Sequence, residues 1–238
     1  MNGPKILFEI PLMGGIAVTE TVINSWLVMV ILTLLAYLGT RRMERVPRGA
    51  QVVVEGYVGG VYSLVEQTMG KDKLGFAPYI GTLFAFSLFS SLLSLFGLRP
   101  PTADLNTTVG WALITFALVQ VSGVRRKGLK GYLKGFLEPL PMLLPLNIIS
   151  ELANPVSLSF RHFGNIAGGM VITMLLYGFL GWLSSFVFGS FLPIFNDIPI
   201  LQVGLPAVLS IYFDLFTSIL QAFIFCMLTM VFVAMAMD

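Results

Sequence analysis

The segment SLSFRHFGNIAGG, Ser157 to Gly169, places an arginine, a histidine and an asparagine inside a long apolar run. An arginine keeps its charge in proteins, and at the centre of a bilayer that charge costs from about 3 to over 10 kcal/mol. On a helix turning about 100° per residue, Asn154, Ser157, Arg161, Gly164, Asn165, Gly168 and Ile172 share one arc, while Met170 points to the other side. The face is polar at one level and very small at the next. Gly164 and Gly168 have the spacing that lets a second helix approach closely. Packing of that kind is the alternative to a functional reading of the glycines, but it gives no reason for a permanent charge.

A second stripe lies on the last helix, where Ser210, Asp214, Thr217, Ser218, Gln221 and Phe225 fall on one side. Counted from the connecting loop, Gln221 comes nearer to the level of Arg161, and Asp214 sits about 10 Å further out at 1.5 Å per residue. A static Arg161–Asp214 ion pair is therefore poorly placed, and Gln221 can accept from the guanidinium without neutralising it. The cation is left seeking an anion that this chain does not supply at that depth. A carboxylate on another subunit would be drawn to it in the ionised form and would release its bound ion there. The same charge would block protons or sodium ions crossing directly. Asp214 and Asn165 leading outward, and Ser157, Asn154 and Glu151 leading to the cytoplasm, would then form two offset half-paths. Lysine is a poor substitute, because desolvation readily lowers its pKa.

The elements that must position these residues follow from composition. The chain is 56% hydrophobic and 11% charged, against about 25% charged in a soluble domain. That predicts an all-α polytopic membrane protein, a single membrane domain over 1–238, and its net charge of +2 gives no reason to expect nucleic acid. Apolar runs fit spans at 20–39, 76–97 and 107–124, then a hairpin of two long helices at 155–190 and 198–236. Basic clusters at Arg41–Arg48 and Arg125–Lys134 are expected to be cytoplasmic. The N-terminus, 1–19, and the loop 98–106 are then outside, and the C-terminus is cytoplasmic. Within 40–70, Val54, Tyr57, Val58, Val61, Val65 and Thr68 share one face while Glu55 and Glu66 mark another, which predicts an interfacial amphipathic helix. After the cytoplasmic loop 125–138, the proline-broken stretch 139–154 reads as a tilted or re-entrant segment. Cys226, the single cysteine, reads as a small core residue. The N-terminal residues lack the pattern of a cleaved signal peptide.

At these residues the chain resembles subunit a of the F-type ATP synthase. "SLSFRHFGN" is similar to that family's S-L-x-x-R-L-F-G-N signature, "LQAFIFCMLTMVF" to its last-helix motif and "PTADLNTT" to its outer-loop motif, in the family's order. The resemblance implies an ion-conducting stator beside a rotating ring of c subunits whose carboxylates supply the missing anion. It also implies peripheral-stalk b subunits, an indirect link to a soluble catalytic head, and a bacterial inner (plasma) membrane. It makes Arg161 the essential charge, carries Asn165 and Gln221 over from the signature and last-helix motifs, and adds Asp104 of the outer-loop motif to the ion-pathway set. Departures are Met170 where many relatives ionise, Asp214 where several bacterial members have histidine, and His162 beside the arginine where leucine is usual. The family's lysine before "PVSL" is Asn154 here. His162 lies off the polar face and is expected to be packed and neutral. No cofactor, metal site or nucleotide loop is expected. The rival readings are an ion-coupled transporter or channel, which usually shows paired broken helices, and a passive scaffold, which leaves Arg161 unexplained.

Overall fold

A computed structural model describes residues 4–11, 16–41, 43–138, 140–189 and 211–237. Five of its helical stretches are long and apolar enough to cross a membrane. The architecture is an all-α polytopic membrane bundle, with one small addition. Ile6–Ile10 (β1) and Ile16–Thr19 (β2) pair antiparallel, Glu9 opposite Ala17, so the segment before the first span is folded. The β-branched run "IAVT" after Gly14-Gly15 is the local cue.

Helix α1 runs Glu20–Thr40 and α2 runs Ala50–Met69. A 3-10 turn, Lys71–Phe76, leads into α3, Ala77–Leu92, which starts with proline in its first turn, where a missing N–H costs nothing. Val65 and Met69 of α2 are buried, with Val61 and Leu64 packed against the same core, while Glu55 and Glu66 are exposed. Half of α2's apolar face thus lies on the bundle, and Val58 remains open.

Helix α4 runs Leu105–Gly135 and continues through the basic cluster read above as the loop 125–138. It bends back at Gly128, whose φ of 72° and ψ of 160° lie outside the helical region and favour glycine. Helix α5 runs Leu144–Gly189 without interruption, so the separate tilted or re-entrant element expected at 139–154 is replaced by a 3-10 turn, Pro141–Leu143, and the first part of one long helix. Two features explain this. Asn147 donates through Nδ2 to the carbonyls of Phe136 (2.8 Å) and Glu138 (3.1 Å), which pins the helix start. Pro155 removes the bond to the Glu151 carbonyl, and Glu151 and Asn154 of the same turn border a polar cavity. Forty-six residues give a helix of about 69 Å, over twice the roughly 30 Å of hydrocarbon it must cross, so α5 must tilt or project.

After a π-helical turn, Ile211–Phe216, helix α6 runs Thr217–Met237. The connection expected to close the final hairpin, with Ser210, lies outside the described residues. α6 is the hub of the core. Its buried positions Ser218, Gln221, Ala222, Phe225, Cys226, Thr229, Met230, Val233 and Ala234 repeat every three to four residues and face α3, α4 and α5. Cys226 is fully buried, as its apolar context led us to expect. In lipid the apolar effect does not drive helices together, so close packing and interhelical hydrogen bonds carry association. Thr115 and Thr229 supply one such bond at 3.2 Å.

Candidate ion-translocation site

Arg161, on the outward side of α5, is exposed and makes no ion pair or hydrogen bond among the described residues. Its neighbours on that face are Ser157, Gly164 and Asn165, also exposed, with Asn154 and Gly168 half-buried. A Cβ added at Gly164 or Gly168 would meet nothing within 4 Å. The close helix approach these glycines permit is therefore not made within the described residues. Around them Val156, Phe160, Ile172 and Leu175 are more than half exposed. Among the described residues the guanidinium stands on an exposed, mostly apolar surface.

The last-helix stripe turns inward. Gln221 is 1% exposed and Ser218 is buried beside it. The Gln221 Oε1 accepts from Asn165 Nδ2 at 2.6 Å, one turn from Arg161, and so is not the partner of the guanidinium that level-counting suggested. The Nε2 of Gln221 has no partner among the described residues, a donor that an ordered water would satisfy. Asp214 lies in the π-helical turn, and its side chain lies outside the described residues.

His162 faces the other way. It is 0% exposed, edge-on to Trp111 (5.6 Å) and Phe225 (5.4 Å), with Nε2 3.4 Å from the Ser87 hydroxyl. It is packed inside the bundle.

At the basic end of the bundle, Glu151 and Asn154 line a cavity of about 340 Å³ between α4, α5 and α6. Lys127, Tyr132, Asn147 and Ser150 also border it, so it is polar and large enough to hold water. Gln120 Nε2 donates to Glu151 Oε1 at 2.8 Å, and the Tyr132 hydroxyl donates to Gln120 Oε1. Sequence reading picked out Glu151 and Asn154 but missed Gln120 and Tyr132. The available signal was a lone amide inside the third apolar run, followed by Gly123 and Gly128.

Asp104 is engaged structurally. Its Oδ1 accepts from the Asn106 amide at the start of α4, and its Oδ2 accepts from Thr21 of α1 at 3.1 Å. Both carboxylate oxygens thereby join two helices at the end of the molecule opposite the basic cavity.

The sequence profile of the family described as "ATP synthase A chain" matches residues 22–234. ATP synthase subunit a of Moorella thermoacetica is 40% identical over 229 residues, covering 95% of this chain and 94% of that protein. The protein named "ATP synthase subunit a, sodium ion specific" of Propionigenium modestum is 36% identical over 265 residues, covering 98% and 84%. The protein named "ATP synthase subunit a 2" of a Bradyrhizobium species is 34% identical, covering 97% and 93%.

Proposed function

Because the chain belongs to the ATP synthase subunit a family and so serves as the ion-conducting stator of a rotary F-type ATP synthase, we propose that Arg161 is the charge that opposes the ring carboxylates. The observation that carries this reading is the exposed guanidinium, unpaired among the described residues, on a face left open at Gly164 and Gly168. A ring carboxylate arriving there is stabilised in its ionised form and gives up its ion. The two glycines leave space for the ring helices. Arg161 then separates two aqueous routes, and an ion passes from one to the other only by riding the ring.

The cavity holding Glu151 and Asn154, with Ser157 on the way to Arg161, forms the cytoplasmic route. Asn154 and Arg161 are separated by about 10 Å of helix at 1.5 Å per residue. Asp214, Ser218, Gln221 and Asn165 form the outer route. Asp104 stands apart from both as the cap of α4. The basic clusters face the cytoplasm, the N-terminus is outside, and the membrane is a bacterial inner membrane. The c-ring is the direct partner, with b subunits bracing the stator and the soluble head coupled through them. The carried ion is a proton or sodium.

The test is Arg161→Ala in the assembled complex. ATP-driven pumping and ion-driven ATP synthesis should both disappear while the amount of complex is unchanged. Normal coupled transport in that variant would overturn the reading.

A further inference from the structure

Gln120, Tyr132 and Glu151 come together only because α4 folds back on itself. The bend at Gly128 returns Tyr132 to the wall of the cavity. Its ring then lies over Gly123, where an added Cβ would stand 2.8 Å from a ring carbon and 3.3 Å from the Ala236 carbonyl. The tyrosine is seated by Gly123 and aimed by Gly128, and Phe136 closes edge-on against it at 5.2 Å. Its hydroxyl donates to Gln120 Oε1, and Gln120 donates through Nε2 to Glu151 Oε1.

We infer that Gln120 and Tyr132 are positioning residues for ion translocation, holding the Glu151 carboxylate at the cavity in a setting that serves both its charged and its neutral form. The inference rests on the reading of that cavity as the cytoplasmic route. An amide carries a donor and an acceptor at one end, and a hydroxyl can do either. With Glu151 ionised, the amide presents N–H to the carboxylate and its oxygen accepts from Tyr132, as observed. With Glu151 protonated, the amide turned over accepts the carboxyl O–H and donates to the tyrosine oxygen. Both states keep Glu151, Gln120 and Tyr132 linked, the tyrosine proton turning to the cavity in the second, so the carboxylate can change charge without losing its amide partner. The titratable groups bordering the cavity are Glu151, Tyr132 and Lys127, while α6 contributes Phe232, Met235 and Ala236, none of which titrates.

The experiment measures ATP-driven pumping by the assembled complex in membranes across a range of pH. In Gln120→Leu the Glu151 carboxylate loses the donor that holds it at the cavity. The pH profile of pumping is expected to change, with pumping severalfold lower at one end of the range than at the other relative to the parent. Tyr132→Phe keeps the ring over Gly123 and should change the profile in the same way by less. Glu151→Gln should lower pumping and abolish any further effect of Gln120→Leu. Unaltered pumping in Glu151→Gln would overturn the cavity's role as ion route, and this inference with it. A defective Glu151→Gln beside unshifted profiles in both Gln120→Leu and Tyr132→Phe would overturn the positioning role alone. A uniform loss at every pH, in proportion to lost complex, would do the same by marking the two residues as structural.

Discussion

Arg161 and His162 are consecutive on α5, yet the helix turns them to opposite environments. The arginine is exposed with no ion pair or hydrogen bond among the described residues, beside glycines where an added Cβ would meet none of them within 4 Å. The histidine is 0% exposed, bracketed by Trp111 and Phe225 and in reach of Ser87. Among the described residues, one side of α5 is packed into the bundle and the other is open. A polar residue's type therefore says less about function than whether its own chain satisfies it. The open side is where a moving partner can act, because a fixed partner within the chain would hold the charge permanently.

The largest effect should come from removing the charge on the open side. Arg161→Ala is expected to abolish coupled pumping in fully assembled complex, and Arg161→Lys to be severely impaired, since an ammonium lacks the planar fork and loses its proton more readily when desolvated. Parallel assays of ATP-driven pumping and complex yield check both. If lysine restored full activity, the argument for a permanent, forked charge would fail.

Next comes Asp214, placed by its backbone in the π-helical turn before α6. Asp214→Asn is expected to slow ion flux strongly without the complete loss of Arg161→Ala, because the amide keeps shape and hydrogen bonding but no longer attracts a cation. Flux and complex stability measured in the same membranes separate this from a bracing role. A drop in flux matched by a drop in assembled complex would assign Asp214 to the fold.

Gly164 sharpens the comparison further. A Cβ added there meets nothing within 4 Å among the described residues, and replacing a mid-helix glycine by alanine favours the helix by up to about 1 kcal/mol. Gly164→Leu should thus leave the isolated subunit folded but cut pumping severalfold if, as proposed, the ring approaches that spot. Equal pumping with a leucine in place would mean that nothing packs closely there.

On the packed side the expected effect moves from flux to stability. His162→Ala should destabilise the bundle by about 3 kcal/mol through the cavity it leaves, whereas His162→Leu fills the space without the unpartnered Nδ1 and should be nearly neutral. Pumping per assembled complex should match the parent in both. A flux defect in His162→Leu with normal assembly would move the histidine to the functional side.

What the sequence made legible divides along the same line. A permanent charge on a narrow polar arc of an apolar helix is a local pattern, so Arg161 and its face could be read from spacing alone. Gln221 was placed near the right level, but its acceptor is taken by Asn165, and which of two neighbouring donors wins is a matter of angstroms that helical counting does not resolve. The Gln120–Tyr132–Glu151 chain was invisible because it depends on a backbone reversal at one glycine and on residues 31 positions apart meeting across two helices. The proline-rich stretch before Asn154 misled for a physical reason. Proline usually ends a helix, but Pro145 falls in the first turn of α5, where a missing N–H costs least, and Pro155 removes one bond in a turn whose Glu151 and Asn154 line the polar cavity.

Asp104 gives the smallest effect and the closest test of the distinction, since the resemblance places it among pathway residues while the geometry shows it engaged by its own chain. Its Oδ1 satisfies an amide that the start of α4 would otherwise leave open, and its Oδ2 holds Thr21 of α1. Asp104→Ala removes both bonds and should cost about 1–2 kcal/mol, the usual loss for a helix cap. Asp104→Asn keeps the capping oxygen, and its amide can donate to the Thr21 hydroxyl where the carboxylate accepted from it. That variant should assemble normally and pump at the parental rate, because the charge itself has no work to do at a cap. Thermal stability of the purified complex should fall for alanine and hold for asparagine. If Asp104→Asn instead slowed pumping with stability intact, the carboxylate would be acting through its charge, and Asp104 would belong beside Asp214 on the outer route.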